Sequence, residues 1–277
     1  MKNRKHFIYI IGVSLGFALM LALALPLRSL IGQFLADEKV IRLVAGIIVR
    51  LSMFGVLIYL IKRLELTTFL GLKTRFRLDQ LQVIIIPLII IIMSILGDLT
   101  RYKNAGLSLL GLFLVSNPLI ALVEELTFRA IVLPLILKIR SNKKRLLLVS
   151  VVMSSMIFGV LHFLNLFREP GNFSGITSQV IFATCISVYL GALFLRTRHI
   201  IFPVMIHFLI NVAFGKSVLT PENNDVVTKV VGETTDWASL LLTLGLFGTI
   251  AMGGVFVIRL VKKVDVLESL SLKKGMI

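Results

Sequence analysis

Cysteine, charge and tryptophan are all scarce in this chain of 277 residues. Its one cysteine, Cys185, excludes an intrachain disulfide. Only 16% of the residues are charged, whereas 57% are hydrophobic and the mean hydropathy is +0.97. Soluble domains of this length are less apolar, so the composition predicts a polytopic membrane protein. We expect one integral-membrane domain over residues 1–277, in the plasma membrane of a bacterium.

Several signatures of enzyme chemistry are absent as well. The sequence has no Gly-flanked serine in a Ser/His/Asp order, no His-Glu-x-x-His helix and no glycine-rich phosphate loop. It also has no internal repeat, and the absence of half-repeats argues against a proton-coupled transporter, which is one alternative function. The formal net charge of +16 suggests a protein that binds nucleic acid. The distribution of the basic residues along the chain instead indicates the orientation of a membrane protein.

Eight apolar runs separated by polar loops predict an all-α protein with about eight transmembrane helices. The runs cover residues 7–27, 40–61, 81–97, 107–137, 146–166, 176–195, 200–214 and 237–260. At 1.5 Å per residue the seventh run covers only about 22 Å, so we expect it to be partly re-entrant or extended at its ends.

Basic residues are distributed unevenly between the two sides of this topology. Of the 30 Lys and Arg residues, 20 fall on the side that holds both termini, and eight fall on the other side. By the positive-inside rule the side with the termini is cytoplasmic. The loop 215–236 is then expected outside.

The fourth run contains two carboxylates and a guanidinium in apolar surroundings. Charge at that depth costs at least about 2.5 kcal/mol per group on insertion scales, so such residues indicate a functional site. Glu125 and Arg129 stand at i,i+4, which favours an ion pair on one helix face. Glu124 points about 100° away and has no local partner, so its carboxyl group is the one expected to exchange protons. The alternative is a structural cluster that packs this helix on its neighbours.

The fifth and seventh runs each contain a histidine and an asparagine at helical spacing. His162 follows Phe158 by one turn and precedes Asn165, and His207 precedes Asn211 by one turn. Together with a glutamate pair, two histidines supply a general base, a proton shuttle and donors for an oxyanion. We expect these side chains to meet at one hydrated cavity that opens toward the cytoplasm or the bilayer.

Two further features leave alternatives open. Arg50 lies near the middle of the second run, where it either pairs with a neighbouring helix or supplies a countercharge to the polar centre. Glu124, His162 and His207 also have the donor atoms of a catalytic zinc site with an open position. The expected cofactor is therefore either none or zinc.

The charged and polar groups also form three sequence motifs, in the order Glu124-Glu125-x-x-x-Arg129, Phe158-x-x-x-His162 and His207-x-x-x-Asn211. These motifs resemble those of the CPBP intramembrane proteases, also called the CAAX protease or Abi family. The resemblance covers about residues 107–214, the expected catalytic core formed by runs four to seven. It implies endoproteolysis of a membrane peptide or a lipidated protein, as in type II prenyl endopeptidases. The family also includes immunity factors, so a non-catalytic membrane scaffold is the alternative.

The resemblance implies a role for each motif residue. Glu124 would activate water with His162, while His207 and Asn211 would hold the oxyanion. The expected supporting residues are Glu125, Arg129, Phe158, Asn165 and Arg50. Membrane lipids and a membrane peptide or lipidated protein are the expected partners, with no nucleic acid.

Overall fold

The computed structural model describes residues 2–73, 81–141, 143–167, 169–219 and 237–270, with side chains described from Asn3 onward and, in the last range, from residue 244. Over these ranges the chain is helical and has no strand, which confirms the predicted all-α class. The predicted loop 215–236 lies outside the described residues from position 220 onward. The α-helices are α1 Lys2–Ala22, α2 Ala24–Ile31, α3 Glu38–Arg63, α4 Ile85–Gly97, α5 Leu99–Asn104, α6 Leu107–Glu125, α7 Leu133–Arg140, α8 Leu146–Leu161, α9 Phe173–Thr197, α10 Ile201–Phe214, α11 Trp237–Arg259 and α12 Lys263–Ser269.

Five helical segments in the described ranges are long and apolar enough to cross a membrane, and the bent pair of α11 and α12 makes a sixth if it counts as one span. The five are Asn3–Ile31, Glu38–Arg63, Leu107–Arg140, Leu146–Phe167 and Phe173–Thr197. Two other predicted spans are shorter helical segments, Gln82–Gly97 and Ile201–Phe214. Large apolar side chains such as Leu19, Ile86 and Met93 are exposed on the helices and suit contact with lipid. The count of eight spans stays a prediction.

The central element is the continuous segment Leu107–Arg140, in which a π-helical turn, Leu126–Val132, joins α6 to α7. Pro134 lacks an N–H and its ring would clash with the carbonyl of Ala130 in a regular α-helix. A π turn widens the backbone directly before this proline, and such turns are common at functional sites. Every residue of the π turn is buried.

Four helices of the described ranges pack against this central segment. Helix α1 packs against α7, α3 and α10 pack against α6, and α8 packs against α7 and α9. The ring of Phe128 in the π turn contacts Phe17 of α1 and Phe158 of α8, with centroids 5.6 Å and 4.9 Å apart. Helices α8 and α9 approach closely at Gly159, where a Cβ atom would collide with the Thr184 side chain.

One end of the bundle collects the ends of α3, α9 and α11; we call it the basic end. Ile200 N–H donates to the Leu70 carbonyl at 3.0 Å, and Arg196 Nη1 donates to the Leu260 carbonyl at 2.8 Å. Gly71 has a φ of +72°, and a Cβ atom there would collide with the Arg198 carbonyl. These contacts bring together three segments that the sequence placed on the same, basic side.

At the opposite end, α4 and α5 are joined to the end of α10. Ser94 Oγ donates to the Ala213 carbonyl at 3.2 Å, and Tyr102 donates to the Val212 carbonyl at 2.7 Å. Lys216 forms an ion pair with Asp98, and its hydrogen bond lowers the pKa of that carboxyl group. These side chains satisfy carbonyls that the end of a helix leaves without intrahelical partners.

Candidate active site

Glu125 and Arg129 form a fully buried ion pair at the centre of the bundle. Arg129 Nε lies 2.9 Å from Glu125 Oε2, and the side chains are 2% and 0% exposed. Arg129 Nη2 donates to the Ser187 carbonyl at 3.2 Å and lies 3.1 Å from the Ser187 hydroxyl. The predicted i,i+4 pair is therefore present, and a residue of α9 holds its guanidinium in place.

His207 of α10 lies between the two glutamates. Its Nδ1 is 2.7 Å from Glu125 Oε1, and its Nε2 is 3.4 Å from Glu124 Oε2. Because an ionised carboxylate only accepts hydrogen bonds, the Nδ1–H of His207 donates to Glu125 and its Nε2 faces Glu124. Glu124 has no partner on its own helix, as predicted, and its neighbour comes from α10.

His162 is the first residue of a 3₁₀ helix, His162–Phe167, that follows α8. Its Nδ1 lies 3.0 Å from the Phe158 carbonyl. A carbonyl oxygen only accepts, so Nδ1 has the proton and Nε2 of the neutral ring is left as an acceptor. His162 is half-buried, and its Nε2 can take a proton or a hydrogen bond from water.

The Phe158 side chain connects the histidines to the ion pair. Its ring centroid is 4.8 Å from that of His162 and 6.2 Å from that of His207, and Arg129 Cζ lies 5.5 Å from it. Phe158 is buried. Its ring thus packs against both imidazoles from the fifth and seventh predicted spans and brings them to one region.

Asn211 lies one turn after His207 and is half-buried. Its Nδ2 is buried and has no hydrogen-bond partner among the described residues. A buried donor left in this state destabilises the fold by about 1–3 kcal/mol. Such a donor is suited to a ligand oxygen, because that contact would remove the penalty.

Two other predicted supporting residues are Asn165, after α8, and Arg50, on α3. Asn165 Nδ2 donates to Gln179 Oε1 of α9 at 2.9 Å. The guanidinium of Arg50 folds back along α3, since a Cβ atom on Gly46 would collide with its Nη1. Helix α3 packs against α6, so Arg50 belongs to the helix pair that carries the glutamates.

The donor set does not fit a zinc site as it is placed. Among the residues that the structure describes, no three His, Cys, Asp or Glu side chains form a group that could hold a metal ion. His207 directs both ring nitrogens at carboxylates, and His162 directs Nδ1 at a backbone carbonyl. The chemistry proposed below is therefore derived from the side chains themselves.

Residues 106–213 match the protein family described as type II CAAX prenyl endopeptidase Rce1-like. The resemblance to the CAAX protease family is confirmed. The matched segment extends from the start of α6 almost to the end of α10 and includes all three motifs. No curated protein and no solved structure matches the chain. The family match supports a membrane protease-type function.

Glu124 and Glu125 face the guanidinium of Arg129 and the imidazole of His207. An ionised carboxylate accepts a hydrogen bond only from a ring nitrogen that has its proton.

Three features of the site were not predicted from the sequence. They are the Ser187 anchor, the hydrogen bond between His207 and Glu125, and the π turn that carries Arg129. Pro134 was the one local signal, because a proline inside an apolar run requires an adjustment of the preceding turn. The other two contacts join residues that are 58 and 82 positions apart, beyond the reach of any spacing rule.

Proposed function

We propose that this chain is an intramembrane endopeptidase of the type II CAAX prenyl endopeptidase kind. It hydrolyses a peptide bond in a membrane-associated or lipidated substrate, with lipids of the plasma membrane as its surroundings. The observation that carries the proposal is His207, fixed on Glu125 at 2.7 Å with its second nitrogen 3.4 Å from Glu124. This arrangement places a fixed donor beside a half-buried carboxylate, which is what attack by water on a carbonyl requires.

Glu124 acts as the general base in this proposal. Its carboxylate takes a proton from a water molecule, and Nε2 of His162 accepts the second hydrogen bond of that water. The water oxygen attacks the carbonyl carbon of the substrate, which forms a tetrahedral intermediate with a negatively charged oxygen. Glu124 then returns the proton to the leaving nitrogen as the C–N bond breaks. General acid–base catalysis of this kind contributes about 10²–10⁴-fold to the rate.

His207 and Asn211 stabilise the oxyanion. The substrate carbonyl oxygen takes the place of Glu124 Oε2 as the neighbour of His207 Nε2, and Nδ2 of Asn211 supplies the second donor from one turn along α10. Glu125 acts through His207: its carboxylate holds the Nδ1–H and keeps the ring in one orientation. Both donors are positioned before the substrate arrives, so they need no reorganisation during the reaction.

Asn211 and Asn165 offer a matched test of the oxyanion site. We expect Asn211→Ala to lower kcat by about 10²–10³-fold, the usual loss for one oxyanion donor. Asn165→Ala removes a similar amide that is bonded to Gln179, so its kcat should stay within about threefold of wild type. Cleavage rates of the two purified variants on the same peptide decide the question. Equal rates for the two variants would exclude Asn211 as a donor.

Chelation separates the proposed mechanism from a zinc mechanism. Because the described donors do not form a three-ligand group, we expect activity to persist after dialysis against a zinc chelator. Elemental analysis of the active protein should find zinc well below one atom per chain. Activity that is lost on chelation and restored by added zinc would show that the side chains rearrange around a metal.

A further inference from the structure

The burial of the central segment changes at the glutamate pair. Every residue from Glu125 to Leu137 is buried, which closes the bundle on the side of α7. Between Leu107 and Ile120, on the other side, only Phe113, Ser116 and Asn117 are buried. The α7 side of Glu124 is therefore enclosed by neighbouring helices, whereas α6 on its other side has one face exposed.

The helices that carry the other site residues end on the open side. His162 comes directly after the last residue of α8, and Asn211 lies three residues before Phe214, the last residue of α10. At 1.5 Å per residue Asn211 is about 5 Å from the end of its helix. In the other direction α8 continues from Phe158 back to Leu146, about 18 Å of helix packed against α7 and α9.

The contacts at both ends identify the open side as the end opposite the basic one. Helix α10 ends beside Ser94 and Tyr102, and the 3₁₀ helix after α8 is joined through Asn165 to Gln179, near the start of α9. Helix α9 finishes at the basic end, where Arg196 is bonded to Leu260. The segments at the basic end belong to the side that holds 20 of the 30 Lys and Arg residues.

We infer that water and substrate reach Glu124 from the end opposite the basic end, which is the extracytoplasmic side under the positive-inside rule. The inference rests on the proposed function and specifies its substrate class. The substrate is a membrane-anchored peptide whose scissile bond lies in the outer half of the membrane or just outside it, and not a lipidated tail in the cytoplasm. The access side differs from the opening toward the cytoplasm or bilayer that the sequence suggested.

Thiol mapping tests the access side without any need for activity. Three single-cysteine variants are made in a Cys185→Ser background: Leu166→Cys beside His162, Ser154→Cys in the closed half of α8, and Thr68→Cys at the basic end. Right-side-out and inverted membrane vesicles are treated with a membrane-impermeant methanethiosulfonate bearing a sulfonate group. The thiols left unreacted are counted after denaturation.

Leu166→Cys should react in right-side-out vesicles, and Thr68→Cys only in inverted ones. Ser154→Cys should react at least about tenfold more slowly than Leu166→Cys in either, since thiol reactivity follows exposure. If Leu166→Cys reacts only in inverted vesicles, or in neither kind, the inference that substrate enters from the extracytoplasmic side is wrong. If Ser154→Cys and Leu166→Cys react at equal rates, the part of α8 that contains Ser154 is not closed to water.

The positions of cleavage sites test the substrate class. Peptide termini that are formed in wild-type membranes and not in Glu124→Gln membranes are mapped onto the spans of the proteins they come from. We expect these sites on the extracytoplasmic side of their spans, and sites in cytoplasmic tails would overturn the inference. If no Glu124-dependent site is found, the proposed function and this substrate class fail together, while the thiol mapping still decides the access side.

Discussion

Glu124→Gln is expected to abolish peptide hydrolysis while the protein keeps its fold. The amide cannot take the proton from water, so we expect a loss of about 10²–10⁴-fold in kcat, the usual contribution of a general base. Glu124 is half-buried and its contact with His207 is 3.4 Å long, so the substitution leaves the buried pair of Glu125 and Arg129 in place. Rates of purified wild type and variant on one cleaved peptide, together with thermal unfolding in the same detergent, measure both effects.

His162→Gln is the matched control for this result. It removes the second group on the water and leaves the proton acceptor, so its loss in kcat should be smaller than that of Glu124→Gln. If Glu124→Gln retains wild-type kcat, Glu124 is not the base. If it unfolds at a much lower temperature than wild type, its role is structural.

Glu125→Gln is expected to lower both stability and activity. The substitution leaves Arg129 as a buried charge without its carboxylate, and breaking a buried pair in this way costs about 3–5 kcal/mol. It also weakens the acceptor for Nδ1 of His207, so the orientation of that ring is no longer held by a charged group. Thermal unfolding should show a clearly lower Tm for Glu125→Gln than for Glu124→Gln.

A double variant separates these two roles of Glu125. Replacing both partners, as in Glu125→Gln with Arg129→Met, removes the unpaired charge and should recover part of the lost stability. Activity should stay low, because His207 still lacks its charged acceptor. Equal Tm values for Glu124→Gln and Glu125→Gln would contradict this division of roles, and so would full activity in the double variant.

Residue spacing and apolar runs in the sequence predicted the features that are formed within a single helix. The i,i+4 spacing of Glu125 and Arg129 is enough to predict their ion pair, because both residues lie on one turn of the central segment. Apolar runs predicted where most long helices lie, since burial in lipid requires about 20 apolar residues. The short helix α10 was also visible as a short run, although its role as the element that brings His207 to both glutamates was not.

Contacts between helices were beyond the reach of these patterns. Nothing in the spacing shows that Glu125 binds His207 or that Asn165 is bonded to Gln179. Nor does it show that the amide of Asn211 has no partner among the described residues. The two asparagines look alike in sequence, each close after a histidine in an apolar span. Their difference comes from the neighbouring helices, which position a partner for one amide and none among the described residues for the other.

The central claim is that Glu124 of this chain hydrolyses peptide bonds in the membrane. Membranes with matched levels of wild type, Glu124→Gln or Asn165→Ala are incubated in water enriched in oxygen-18, and new peptide termini are identified by mass spectrometry. We predict one set of new termini, shared by wild type and Asn165→Ala and absent with Glu124→Gln, each with one heavy oxygen in its new carboxyl group. The same set of termini in all three membranes, or none in the wild type, would contradict the claim.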